Sequence, residues 1–122
     1  MSKRILVVDD SAAIRQSISF ILNQEGYETV EATDGLEALA VLGKAEAVDL
    51  IITDVNMPNL DGIGFIKKAR DLQKYKFTPI LVLTTESQGS KMNDGKEAGA
   101  TGWIVKPFNA EKLLAIVKKV SG

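Results

Sequence analysis

The stretch ILVVDD, residues 5–10, decides the fold, because its four apolar residues run directly into two aspartates. Such short runs of Ile, Leu and Val, without polar alternation, are typical of strands buried on both faces of a parallel sheet. Similar runs occur at Leu50–Ile52, Ile80–Leu83 and Trp103–Val105. One more strand, the second in chain order, is predicted at Glu28–Ala32, where alternation indicates a half-exposed sheet edge.

Helical patterns lie between these strands. Ser11 is suited to cap the first helix, and Gly26 to end it. Four of the five predicted helices carry apolar residues at helical spacing. These are Ile14, Ile18, Ile21 and Leu22 in the first helix, Leu36, Leu39, Ala40 and Leu42 in the second, Ile63, Ile66 and Ala69 (with Arg70 beside them) in the third, and Leu113, Leu114, Val117 and Val120 in the fifth, Ala110–Val120. The fourth helix, Ser90–Ala98, is only weakly predicted. Five strand–helix repeats predict an α/β fold with a parallel sheet and helices on both faces.

Length and composition limit the functions to be considered. The 122 residues fit one domain, 1–122, and no output domain is expected after it. The chain has no Cys and no His, so a bound metal must take oxygen ligands, which favours Mg²⁺ or Ca²⁺. The net charge of −1 gives no sign of nucleic-acid binding. Since no apolar run approaches membrane-spanning length, we expect a cytoplasmic protein without membrane contact.

Chemistry-bearing side chains stand where the predicted strands end. Strand one is followed by Asp9 and Asp10, strand three by Asp54, strand four by Thr84 and Thr85, and strand five by Lys106. Because the carboxyl ends of parallel strands meet at one edge of the sheet, where such folds bind ligands, these groups should converge. Each of these groups alone also has an ordinary structural interpretation. The aspartates after strand one could cap a helix, the aspartate after strand three could be a loop acid, the threonines could simply favour a strand, and the lysine could be solvated.

The convergence of three carboxylates predicts a cation site. Two unit charges about 4 Å apart repel by about 4 kcal/mol at an effective dielectric near 20, so at least one of Asp9, Asp10 and Asp54 should have a raised pKa. A hard divalent cation and Lys106 would relieve this repulsion. Asn56, two residues after Asp54, offers further oxygens. A divalent cation and Lys106 would together supply three positive charges. Such a site could stabilise a phosphoryl group carried by Asp54.

Four segments together resemble the receiver domains of two-component signalling, most closely those of the stand-alone, CheY-like kind that serve chemotaxis. The segments are ILVVDDS at 5–11, DLIITDVNMPNLDG at 49–62, PILVLTTE at 79–86 and GATGWIVKPF at 99–108. The resemblance covers essentially the whole chain. It implies a flavodoxin-like sheet with strand order 2-1-3-4-5.

The resemblance also implies roles for individual residues around a bound Mg²⁺. Asp54 is similar to the phosphoacceptor of this family. Asp10 and Asp54 correspond to direct Mg²⁺ ligands, Asp9 to a ligand acting through water, and Asn56 to the residue whose backbone carbonyl completes the set. These four residues are the expected metal site.

Further roles concern the transmission of the signal. Thr84 corresponds to the switch hydroxyl and Lys106 to the lysine that contacts phosphate, and the Lys106–Pro107 bond is expected to be cis. Trp103 stands at the switch aromatic position, usually Tyr or Phe, and its larger indole leaves its burial on activation open. The expected output surface is the fourth helix, fifth strand and fifth helix.

Water access to the phosphoryl group should depend on Asn56 and Glu86. Asn56 lies two residues after Asp54, and Glu86 lies two residues after Thr84, so both should flank the entrance to the site. Both can hydrogen-bond a water molecule in line with the phosphorus. We therefore expect a short-lived phosphoryl group, in a signalling protein that promotes its own phosphorylation and dephosphorylation and is not otherwise an enzyme.

The resemblance implies a histidine kinase of the CheA kind as phosphate donor, a downstream target such as a flagellar motor switch protein, a phosphatase as a further partner, and a monomeric state. Alternatively, the protein is a phosphorelay intermediate that passes phosphate to a histidine phosphotransfer protein. A haloacid-dehalogenase-like phosphatase is a remote alternative, because its DxD nucleophile normally follows the first strand. An FMN-binding flavodoxin would need a Ser, Thr and Gly-rich loop where Asp9 and Asp10 stand.

Overall fold

The computed structural model describes residues 3–44, 46–85 and 89–121, and strands and helices alternate along them. The strands are β1 (Arg4–Val8), β2 (Glu28–Ala32), β3 (Leu50–Asp54), β4 (Ile80–Thr85) and β5 (Gly102–Lys106). The helices are α1 (Ala12–Gln24), α2 (Gly35–Leu42), α3 (Gly62–Asp71), α4 (Gly89–Ala98) and α5 (Ala110–Ser121). The predicted alternation is confirmed, and a short 3-10 turn at Gln73–Tyr75 was not predicted.

All strand pairs are parallel, and the strand order is β2-β1-β3-β4-β5, as the resemblance implies. Chain order reverses direction between β1 and β3, which is where ligands bind in open sheets of this kind. Val8 pairs with Thr53, so the residues that follow β1 lie beside the end of β3. Thr84 pairs with Val105 in the same way, which brings the end of β4 beside the end of β5.

Two apolar layers cover the sheet, because successive side chains of a strand point to opposite faces. Ile5 and Val7 of β1 pack in one layer with α1 and α5, whereas Leu6 and Val8 pack in the other with α2 and α3. At about 25 cal/mol per Å² of apolar surface removed from water, these two layers are the main source of stability. The carboxyl edge of the sheet is thus a fixed frame for the groups at its strand ends.

The first three helices each begin at a polar side chain that caps the helix. Ser11 accepts a hydrogen bond from the amide of Ile14, as predicted for the cap of α1, and Asp34 and Asp61 cap α2 and α3 in the same manner. Gly26, just beyond α1, has a φ of +89°, a left-handed conformation that glycine adopts without strain.

Two predictions about exposure are wrong. β5 was expected to be buried on both faces, but it is an edge strand, and Val105 is 38% exposed. Leu36 was expected on the apolar face of α2, but it is 55% exposed, since the buried face carries Gly35, Ala38 and Leu42. In both cases the residue was correctly assigned to a strand or a helix, but its side chain points to solvent and not to the core. None of the helices in the described residues has the length and apolar character needed to cross a membrane.

Candidate functional site

The three predicted acids lie together at the carboxyl edge of the sheet. One carboxylate oxygen from each of Asp9, Asp10 and Asp54 lies within 4.8 Å of the others. Asp9 and Asp54 are buried, while Asp10 is exposed. The pairing of β1 with β3 causes this arrangement, because it sets the residues after Val8 beside Asp54. The predicted convergence of the acids is therefore confirmed.

Lys106 supplies the positive charge of the cluster from the end of β5. Its Nζ lies 3.3 Å from Asp54 Oδ1 and 3.7 Å from Asp9 Oδ2. Lys106 crosses from the sheet edge, past β4, to reach β3 and β1, and the Lys106–Pro107 bond is cis, as expected. Since only 21% of its side chain is exposed, water screens these two ion pairs less than it would a surface pair.

Asp54 is held in place by the next residue of the chain and by the start of α3. Its Oδ1 accepts a hydrogen bond of 2.9 Å from the Val55 amide as well as the bond from Lys106. Gly62 packs so closely that a Cβ there would lie 2.0 Å from the Asp54 carbonyl oxygen. Any other residue at position 62 would displace the strand end that carries the carboxylate.

Asp9 is the most deeply buried acid of the cluster. Its Oδ1 accepts a hydrogen bond of 2.9 Å from the Ser11 amide. Its Oδ2 is buried and has no hydrogen-bond partner among the described residues. Burial raises the pKa of Asp9, and the negative charges of Asp54 and Asp10 raise it further, against the Ser11 amide and Lys106, which lower it. A raised pKa was predicted here from charge crowding, but burial is the larger cause.

The residues present fit a hard divalent cation. Three carboxylates face one lysine, so the cluster has an excess of negative charge, and the buried Asp9 Oδ2 needs a partner. Carboxylate and backbone carbonyl oxygens are the ligands that Mg²⁺ prefers. Asn56 follows Asp54 in the loop that leads to α3, and its side chain is exposed.

The residues predicted to act as the switch, Thr84 and Trp103, lie on β4 and β5, on the far side of Asp54 from β1. Thr84 is completely buried, and its hydroxyl donates to the Thr85 carbonyl at 3.3 Å. Trp103 is half-buried and pairs with Val82, two residues before Thr84. The surface predicted for output, which consists of α4, β5 and α5, therefore lies beside the acidic cluster. Glu86, the other predicted water-access residue, lies outside the described residues.

Two groups around the site were missed in the sequence. Arg15 of α1 donates from Nη1 to the Asp9 carbonyl at 2.7 Å and from Nε to Glu31 at 3.1 Å, which ties the end of β1 to β2. Asp34 accepts a hydrogen bond from Asn59 in the loop after β3. A basic residue in the first turns of a helix and an acid at a helix cap are both ordinary patterns, and neither carries a sequence signal for these contacts.

Known proteins share the sequence and the fold over nearly the whole chain. The family described as "Response regulator receiver domain" matches residues 5–118. A chemotaxis protein CheY homolog of Campylobacter jejuni is 39% identical over 120 residues, which cover 98% of this chain and 92% of that protein. The solved structure of chemotaxis response regulator CheY4 of Vibrio cholerae has a TM-score of 0.92 and 52% identity, and the match covers 98% of this chain and 99% of that one.

A third similarity is to one part of a longer protein. A probable transcriptional regulator, ycf27 of Porphyridium aerugineum, is 40% identical over 118 residues, which cover 97% of this chain and 48% of that protein. The same type of sequence therefore also occurs as about half of a longer regulator.

Proposed function

Because the chain belongs to the family of response regulator receiver domains, we propose that residues 1–122 form one receiver in which Asp54 accepts a phosphoryl group from a histidine kinase. The observation that carries the proposal is the cluster of three carboxylates with Lys106 Nζ 3.3 Å from Asp54. Membership of this family also decides against the phosphatase and FMN-binding alternatives.

The phosphoryl transfer follows from the chemistry of the cluster. An oxygen of the Asp54 carboxylate attacks the phosphorus of a phosphohistidine, a P–O bond forms, and the P–N bond breaks. The nitrogen leaves with the electron pair and takes up a proton, so the products are an aspartyl phosphate and a neutral histidine. Charge on the transferred group must be stabilised throughout, and positioned electrostatics supply most of the catalysis in such reactions.

Positive charge in the site would come from two sources. Mg²⁺ held by Asp10 and Asp54, by Asp9 through water and by the Asn56 backbone carbonyl would neutralise charge on the phosphoryl oxygens. Lys106 would move its Nζ from the Asp54 carboxylate to one of these oxygens. The three acids carry −3, and Lys106 with a divalent ion carries +3. An aspartyl phosphate adds about one further negative charge, which a hydrogen bond from Thr84 can offset.

Signal transmission would use that hydrogen bond. If the Thr84 hydroxyl turns toward the phosphoryl group, it leaves space near α4 into which the Trp103 indole can turn. Trp103, Val105 and Pro107 line a groove with Lys112 and Ile116 of α5, which is part of the surface formed by α4, β5 and α5. A target that binds this surface would detect the change.

Chemotaxis is the pathway favoured here, with a CheA-like kinase as donor, a flagellar motor switch protein as target and a phosphatase as a further partner. The support is that similar proteins of nearly the same length carry chemotaxis names. Selective binding of a motor switch protein to the beryllofluoride-loaded chain would support chemotaxis. Transfer of phosphate from Asp54 to a histidine phosphotransfer protein would support the phosphorelay alternative instead.

The experiment that tests the proposal is incubation with acetyl phosphate, with and without Mg²⁺, followed by intact-protein mass spectrometry. The wild type should gain one phosphoryl group only when Mg²⁺ is present, and Asp54→Asn should gain none. Asp61→Asn is the matched control, because Asp61 is an exposed helix cap that Asn can replace. A normal mass gain in Asp54→Asn would reject Asp54 as the acceptor.

A further inference from the structure

The β3–α3 loop, residues 55–61, connects Asp54 to α3 and carries Asn56. Its two ends are closed against each other. The Gly62 amide donates to the Val55 carbonyl at 2.8 Å, and Gly62 itself packs against the Asp54 backbone. This contact fixes the base of the loop, but it does not fix the residues between.

A second anchor holds the far part of the loop to the start of α2. The Asn59 amide donates from Nδ2 to Asp34 Oδ2 at 2.6 Å, and the Gly35 amide donates to the Leu60 carbonyl at 3.0 Å. The approach is close, because a Cβ at Gly35 would lie 2.6 Å from the Leu60 oxygen. Asn59 has a φ of +67°, a left-handed conformation that Asn tolerates better than most residues.

Asp34 is built for this contact. The residue is 8% exposed, and its other oxygen, Oδ1, accepts a hydrogen bond of 2.9 Å from the Glu37 amide. Hydrogen bonds from the Glu37 amide and from Asn59 lower the pKa of Asp34, so the carboxylate is charged at neutral pH. Hydrogen bonds to a charged acceptor are roughly twice as strong as neutral ones.

The Asn56 carbonyl depends on such anchors more than the carboxylate ligands do. Asp9, Asp10 and Asp54 sit at or next to the ends of paired strands, which the sheet holds in place. Asn56 lies in the loop, and a backbone carbonyl has no side-chain torsion with which to correct its position. Groups that orient the ligands of a metal commonly change affinity 10–100-fold when they are removed.

We propose that Asp34 is a positioning residue for the magnesium site, which it serves by holding the β3–α3 loop through Asn59 so that the Asn56 carbonyl faces the ion. The inference rests on the proposed function, because it needs Mg²⁺ to bind at the acidic cluster. It adds the N-cap residue of α2, which lies outside the acidic cluster and was not predicted to take part in the site.

Two substitutions break the Asp34–Asn59 bond from its two sides. Asp34→Ser retains an oxygen that can cap α2, but it lacks the second oxygen that Asn59 uses. Asn59→Gly removes the amide and tolerates the left-handed backbone. Glu37→Ala is the matched control at the same helix start, because the Glu37 carboxylate bonds to the amide and hydroxyl of Thr33 within the described residues.

The measurements are the Mg²⁺ dissociation constant by calorimetry, the free energy of unfolding in EDTA, and hydrogen exchange of the loop amides without Mg²⁺. Asp34→Ser and Asn59→Gly should each weaken Mg²⁺ binding about tenfold and speed exchange in the loop. The double variant should be no weaker than either single variant, since both remove the same bond. Glu37→Ala should keep the wild-type dissociation constant even if it lowers stability.

The outcomes separate this inference from the proposed function. Unchanged affinity in Asp34→Ser and Asn59→Gly, with wild-type binding that is lost in Asp10→Ala, would overturn the positioning role and leave the metal site intact. An equal loss of affinity in Glu37→Ala would also overturn it, because stability of the α2 start would then be the cause. A wild type that does not bind Mg²⁺ would overturn both.

Discussion

Replacing Asp9 by Asn should stabilise the protein when Mg²⁺ is absent. Asp9 is 1% exposed, its Oδ2 is buried without a hydrogen-bond partner among the described residues, and it shares its site with two other acids. Asn has nearly the same shape, it can still accept the Ser11 hydrogen bond, and its NH₂ group can donate toward Asp54 or Asp10. The substitution therefore removes a charge and supplies a donor.

The size of the effect can be worked out from the distances. At an effective dielectric near 20, Lys106 at 3.7 Å attracts the Asp9 carboxylate by about 4.5 kcal/mol. Each of the other two acids, with oxygens within 4.8 Å, repels it by about 3.5 kcal/mol or more. The repulsions exceed the attraction, and burial adds to the cost of the charge. We expect a net gain of about 2 kcal/mol, which raises Tm by roughly 6–8 °C in a domain of this size.

Magnesium should reverse the order of stability. An ion that binds only the folded wild type stabilises it by RT ln(1 + [Mg²⁺]/Kd). If Asp9→Asn binds no Mg²⁺, the two proteins should become equally stable at about thirty times the wild-type Kd, where that term reaches about 2 kcal/mol. The assay is urea unfolding at pH 7 in EDTA and at increasing Mg²⁺.

Asp71→Asn provides the control for net charge, because Asp71 is an exposed acid at the end of α3, outside the cluster. It should change stability by less than about 0.5 kcal/mol, as is usual at the surface. An Asp9→Asn protein less stable than the wild type in EDTA would refute the reasoning. It would mean that the Lys106 attraction outweighs burial and the two repulsions together.

Three other predictions concern the rest of the chain. Arg70→Met should lower the free energy of unfolding by about 3 kcal/mol in urea titrations, because the half-buried guanidinium donates hydrogen bonds to the backbone carbonyls of four residues. A stability unchanged within about 0.5 kcal/mol would contradict this. Trp103 emission should change when beryllofluoride is added with Mg²⁺ but not with Mg²⁺ alone, and the change should be lost in Thr84→Ala. Asn56→Met combined with Glu86→Leu should slow phosphate release at least about tenfold, a barrier increase of roughly 1.4 kcal/mol, and equal decay rates would show that the pair does not control water access.

Much of the fold and the site could be predicted from the sequence, because both depend on local patterns. The apolar runs fix the strands, and whatever directly follows a parallel strand must lie at the carboxyl edge. Asp9, Asp54 and Lys106 could therefore be brought together without knowledge of the side-chain contacts. Strand order came from the family resemblance, since alternation alone does not say which strands are neighbours.

The remaining features depend on direction and on tertiary neighbours. Residue type could not reveal that Val105 points to solvent, because an edge strand and a central strand can have the same composition. The Asn59–Asp34 bond joins residues 25 positions apart through two loops, and nothing local to either residue requires it. Arg70 was placed correctly on α3, but its carbonyl partners lie as far along the chain as Gly99.

The two halves of the site are restrained by different contacts. Near β1 and β3, the Asp34–Asn59 bond and the close packing of Gly62 restrain the end of β3 and the loop that carries Asn56. Near β4 and β5, α4 is rich in residues with poor helix propensity, so its helical structure depends on its packing.

In the half near β4 and β5, side-chain hydrogen bonds hold one end of α4. Arg70 donates from Nε and Nη2 to the Gly99 carbonyl at 3.0 and 2.8 Å, which fixes the chain just beyond the C-terminal end of α4. A phosphoryl group on Asp54 that draws in the Thr84 hydroxyl would therefore act on the opposite, N-terminal end of α4. Movement of that end about the Gly99 anchor would change the exposed surface beside Trp103 while the metal ligands stay in place. Arg70→Met should accordingly abolish the Trp103 emission change that beryllofluoride causes in the presence of Mg²⁺, while the affinity for Mg²⁺ keeps its wild-type value.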